Sequence, residues 1–140
     1  MNLLIQLGAA LAMVALCALI HAGGLYGVSR LFHLEDKEVQ RRSIGPSTAW
    51  LIVAIALAIF LLHLTEIALF AALYQSLGAT DGFEDALFYS ASYYTTAGHS
   101  GVESPASSWR LIGASEALAG FLLIGWSTAY LVQKLGRLGE

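Results

Sequence analysis

Two carboxylates and two histidines stand inside stretches of chain that are otherwise apolar. Glu66 and Glu116 each interrupt a long hydrophobic run, and so do His21 and His63. An ionisable side chain surrounded by lipid is expensive, so it is retained where it meets a partner or does work. Glu66 follows His63 by three residues, and on a helix the two share a face. Such a pair can relay a proton, supply two ligands to a metal, or hydrogen-bond within itself. Two ligands on one helix are a weak metal signal, and the hydrogen-bonded pair is the favoured reading. His21 is alone in its run and reads as a packed histidine. The single cysteine, Cys17, can make no intrachain disulfide and reads as a small buried hydrophobe.

The elements that hold these groups follow from composition. Of 140 residues, 57% are hydrophobic and 12% charged, too apolar for a water-soluble unit of this length. A net charge of −3 gives no reason to expect nucleic acid as a partner. Three apolar runs, about 3–28, 47–77 and 109–132, exceed the roughly 20 residues that span a bilayer as a helix. Lipid offers backbone groups no partner, and runs of this length without period-two alternation must be helices. The first run lacks the basic lead and the short core of a signal peptide, so it is expected to stay as a membrane helix. Gly8 and Ala12 in it offer close helix packing.

Basic residues set the expected orientation. Arg30, Lys37, Arg41 and Arg42 lie between the first two helices, and Lys134 and Arg137 follow the third. Cytoplasmic flanks collect Lys and Arg, so the N-terminus is expected outside and the C-terminus in the cytoplasm. Arg110 stands at the outer end of the third helix, where it can snorkel to the interface. Trp50 and Tyr130 fall at the inner boundary, and Tyr74 and Trp109 at the outer one, as an aromatic belt would have them.

The outer loop is too long for a simple connection. Asp81-Gly82-Phe83-Glu84 has the spacing of a capping box, and an aromatic segment follows it. A helix over 82–95 reaches about 21 Å, too short to span. A helix that enters the membrane and returns satisfies both facts. Non-helical backbone at that depth is allowed where protein buries it or where it lines a pore.

After this helix comes Thr95-Thr96-Ala97-Gly98-His99-Ser100-Gly101. The run resembles the pore loop of the potassium-channel superfamily, whose pattern is Thr-Thr-Val-Gly-Tyr-Gly-Asp. The third helix extends the likeness with Gly120 and Gly125-Trp126-Ser127-Thr128-Ala129. The stretch from Phe88 to Tyr130 looks like the small prokaryotic two-helix pore proteins. The resemblance covers about 47–135 and leaves out the first helix, 1–28, and the connector, 29–46.

The resemblance implies an all-α membrane protein. Three transmembrane helices and a re-entrant pore helix with its filter loop would assemble as a homotetramer around a pore. The outer helix would be 47–77, the pore helix 82–95, the filter 95–101 and the inner helix 109–134. Filters of this kind replace the water around an ion with backbone carbonyls and one Thr hydroxyl. Thr96, Ala97 and Gly98 would supply the inner carbonyls for potassium or another monovalent cation, with no organic cofactor. Ala97, His99, Ser100 and Gly101 depart from the family pattern. Ser100 falls where glycine is usual, and a left-handed serine costs about 1 kcal/mol or more. The resemblance therefore implies cation conduction more firmly than potassium selectivity.

Glu116 and Glu66 are expected near the filter, where either could brace it through His99 or a backbone amide, or meet the other. Phe121, Ile124, Thr128 and Ala129 would line the cavity. Gly120 and Gly125 would serve as hinges, or pack closely. The connector mixes both charge signs and reads as a solvated helix. With no regular arginine helix, voltage sensing is not expected; gating is expected from the membrane unit itself, from pH or from a separate regulatory protein. The chain is thus read as a channel subunit of a plasma membrane and not as an enzyme. The alternative is a non-conducting structural or regulatory protein built on a degenerate channel fold.

Overall fold

In the computed structural model, residues 3–34, 45–98 and 109–136 are described. They form four helices: α1 Leu3–Leu31, α2 Pro46–Ser76, α3 Phe83–Tyr94 and α4 Arg110–Leu135. Among the described residues there is no strand. α1, α2 and α4 are each long and apolar enough to cross a membrane, whereas α3, at 12 residues, reaches only about 18 Å. The chain is an all-helical membrane protein.

The helices start and stop for local reasons. Pro46 occupies the first turn of α2, where a missing N–H leaves nothing unsatisfied. Gly78, just beyond α2, has φ +64°, the left-handed position glycine takes cheaply at a helix end. The capping box expected at α3 does not form. Gly82, not Asp81, is the N-cap, in extended backbone with no side-chain cap bond. Glu84 and Asp85 still lie in the first turn, where the positive end of the helix dipole favours them.

α1 buries one stripe although it is apolar all round: Gln6, Ala10, Cys17, His21, Leu25 and Val28. Those steps of 4, 7, 4, 4 and 3 repeat at the helical period. The stripe lies against α4 and α2. Gly24 admits Leu62, whose Cδ1 would be 2.5 Å from an added Cβ. Gly8, an expected packing position, has nothing within 4 Å, and Ala12 is exposed. Small residues thus let α1 approach near its middle and not near its start.

Two apolar clusters hold the helices. One joins Ala10 and Cys17 of α1 to Phe70 and Tyr74 of α2, Ala86, Tyr89 and Tyr94 of α3, and Ile112 of α4. The other joins Leu25 and Val28 to Ile55 and Ile59, with Tyr130, Leu131 and Leu135 packed on it. Ser29 and Tyr130 hydrogen-bond at 2.8 Å within the second cluster. Between the two clusters lies a polar layer.

Candidate pore loop and the buried carboxylates

α3 is held by its neighbours at both ends. Ser90 Oγ donates to the Ile67 carbonyl of α2 at 2.8 Å, and Tyr89 meets Tyr74 edge-on with centroids 4.9 Å apart. At its other end the Tyr94 backbone lies directly on Gly120 of α4. A Cβ there would sit on the Tyr94 carbonyl oxygen and 2.8 Å from its carbon. Gly113 likewise leaves room for the Tyr93 ring. Gly120 stands ten residues into α4, about 15 Å along a helix of 1.5 Å rise. The end of α3 therefore lies about halfway along a membrane-spanning helix.

There the chain leaves helical geometry. Thr95 is the C-cap. Thr96 and Gly98 have φ +56° and +79°, while Ala97 between them does not share that sign. Left-handed backbone at a β-branched threonine costs roughly 1–2 kcal/mol and marks a place where surroundings override local preference. Alternating the sign of φ turns successive carbonyls toward one side, where a strand would alternate them. Thr95, Thr96, Ala97 and Gly98 are all exposed. Beside them is an open recess of about 280 Å³ lined by Ser92, Tyr93, Thr96, Gly98 and Ala117. α3 has no base in its last turn, so the partial negative charge of its carbonyl end faces this loop uncancelled. His99, Ser100 and Gly101 lie outside the described residues.

The two carboxylates are fully buried but do not share partners. Glu116 accepts one hydroxyl on each oxygen, from Tyr74 at 2.5 Å and from Ser90 at 2.5 Å. It thus ties α4 to α2 and α3 behind the loop. Tyr74, expected as an outer-belt aromatic, is instead buried in this contact. The carboxylate attracts the phenol inward, which a belt position would not.

Glu66 sits in the polar layer. Its Oε1 lies 2.8 Å from His21 Nδ1, and its Oε2 is 3.3 Å from His63 Nδ1 and accepts the Tyr94 hydroxyl. His63 Nδ1 is 2.8 Å from the Tyr94 oxygen. Ser127 Oγ closes the ring, 3.1 Å from His63 Nε2 and 3.2 Å from His21 Nε2. One residue from α1, two from α2 and one each from α3 and α4 meet here. Sequence reading found the His63–Glu66 pair and missed His21, Tyr94 and Ser127. The one available signal was that His21 is the only acid or base in the apolar run 3–28, and so needs a partner at depth.

The other expected residues fall on one face of α4. Phe121, Ile124, Thr128 and Ala129 are exposed to the outside of the protomer, with the Thr128 hydroxyl turned back to the Ile124 carbonyl. Gly125 has open space around it. Trp126 packs toward α1, its ring centroid 5.4 Å from that of His21, and Trp50 is 75% exposed at the start of α2.

The family model described as "Ion channel" matches residues 61–137, more than half of the chain. The match takes in the last part of α2, all of α3, the Thr95–Gly98 loop and α4, and leaves α1 outside. No curated protein and no solved structure matches the chain.

Proposed function

Because the chain belongs to the ion-channel family, as a potassium-channel-like pore domain with an added N-terminal membrane helix, we propose that it is the pore-forming subunit of a homotetrameric cation channel. The observation that carries this reading is the loop after α3. It is exposed, non-helical backbone with alternating φ at Thr96 and Gly98, about halfway along a membrane-spanning helix. Such backbone needs a water-filled axis or a covering subunit, and four copies around an axis supply both.

In that assembly the carbonyls of Thr96, Ala97 and Gly98, with the Thr96 hydroxyl, replace the hydration shell of a monovalent cation. The carbonyl end of α3 and the acids of the outer loop raise the local cation concentration. Phe121, Ile124, Thr128 and Ala129 line the cavity below, and Glu116 braces the back of α3. The basic flanks support a C-terminus in the cytoplasm, with the channel in a plasma membrane.

Ion flux from liposomes containing the purified protein tests the reading. Potassium and sodium are expected to pass and chloride is not. No flux of any cation, from protein that is folded and tetrameric, overturns it.

A further inference from the structure

Hydrogen counting around Glu66 reveals a mismatch. Six contacts join Glu66, His21, His63, Tyr94 and Ser127. With neutral imidazoles these groups bring four hydrogens: one from each ring, one from Tyr94 and one from Ser127. Ser127 can donate to only one of the two Nε2 atoms that face it. The other ring must therefore carry its hydrogen on Nε2. If that ring is His21, its bare Nδ1 faces the Glu66 carboxylate at 2.8 Å; if it is His63, its Nδ1 competes with Glu66 Oε2 for the one Tyr94 hydrogen. Either way two of the six contacts go without a hydrogen, a deficit that a cation among these donors would make up.

We propose that His21, His63 and Glu66, with the Tyr94 phenolic oxygen as fourth donor, form a binding site for a divalent transition-metal ion of the zinc type. The donor atoms of His21, His63 and Glu66 all lie within 4.8 Å of one another. The edges of 2.8 and 3.3 Å, which reach one or other Glu66 oxygen, the 2.8 Å edge between His63 and Tyr94 and the shorter edge between Tyr94 and Glu66 compare with about 3.3 Å between ligands of a tetrahedral ion with bonds of about 2.0–2.1 Å. Small outward movements of the side chains admit it.

The ion also removes the mismatch. Each ring carries its hydrogen on Nε2 and donates it to one lone pair of Ser127 Oγ, freeing both Nδ1 lone pairs for the metal. A histidine ligand usually hands its other nitrogen to such a partner. Tyr94 releases its hydroxyl proton to bulk water on binding. The phenolate and carboxylate then balance the two positive charges, and no net charge is buried in the apolar interior. Imidazole and oxygen donors without thiolate suit zinc, cobalt and their neighbours. His63 is the entry side, its side chain 15% exposed while those of His21 and Glu66 are fully buried. The ion would tie α1 to the residue immediately before the Thr95–Gly98 loop.

The test uses the full chain, purified in detergent, stripped with a chelator and titrated with cobalt(II), then with zinc. One equivalent of cobalt per chain, with the visible bands of tetrahedral coordination that zinc abolishes, is expected. His21→Ala and Glu66→Gln should each weaken binding at least 100-fold. Ser127→Ala, which keeps every ligand and guards against a His21 variant that fails to fold, should weaken it about tenfold. Tyr130→Phe should leave it unchanged. Folded wild-type protein that takes up no stoichiometric cobalt or zinc overturns the proposal, including the case in which extra protons alone fill the ring. So does a folded His21→Ala protein with wild-type affinity. Binding is read without any current, so its failure and the failure of the channel reading are separate results.

Discussion

Glu66 and Glu116 are both fully buried carboxylates on membrane-spanning helices, yet their surroundings differ in kind. The Tyr74 and Ser90 hydroxyls each reach one oxygen of Glu116, Ser90 sharing its single hydrogen with the Ile67 carbonyl, so every partner of the group is a hydroxyl. Glu66 is ringed by atoms that are acceptors as often as donors, and its contacts outnumber their hydrogens. The comparison separates two uses of a buried charge. One ties a helix to its neighbours through hydroxyls; the other stands among donors of the kind that the proposed ion would use. Burial alone does not distinguish them; the partners do, hydroxyls at Glu116 and two imidazoles at Glu66.

The largest expected effect would break both regions at once. Gly120→Ala puts a methyl on the Tyr94 carbonyl, shifting α3 against both carboxylates, and overpacking against backbone should destabilise by about 3 kcal/mol or more. Loss of the assembled protein on size-exclusion chromatography, with flux and cobalt binding lost together, would show it. Glu66→Gln comes next and sharpens the contrast. At metal 100 times the wild-type dissociation constant the wild type should gain about 2.7 kcal/mol of thermal stability, and the variant, binding at least 100-fold more weakly, at most about 0.4 kcal/mol. Glu116→Gln should lose about 2 kcal/mol by leaving one hydroxyl opposed by an amide N–H₂. That loss should be the same with and without metal, and a metal-dependent loss would erase the distinction. Tyr130→Phe removes the Ser29 contact in the inner cluster and should lose about 1 kcal/mol by calorimetry, with flux retained.

What could be read from the chain beforehand was what depends on local runs. Three membrane helices and a short one between the second and third follow from hydrophobic length, and the observed bounds differ by a few residues at most. The pair His63–Glu66 follows from a spacing of three. What could not be read depends on how separate helices register. His21 meets Glu66 because Gly24 lets Leu62 in and brings α1 close to α2 at that height. Tyr74 turns inward for a carboxylate 42 residues away in the chain. The start of α3 was misjudged for a local reason, since Asp81 has capping spacing but an extended Gly82 takes the position.

The bare contact between Gly120 and Tyr94 also has a mechanical meaning. Most helices touch through side chains, which can rotate and absorb a displacement of several tenths of an ångström. Here backbone rests on backbone, with no compliant layer between. A bend or slide of α4 at that height is handed straight to the last residue of α3, and from it to Thr95. α4 and the loop are thus joined without slack, so that a rearrangement of one is passed on to the other.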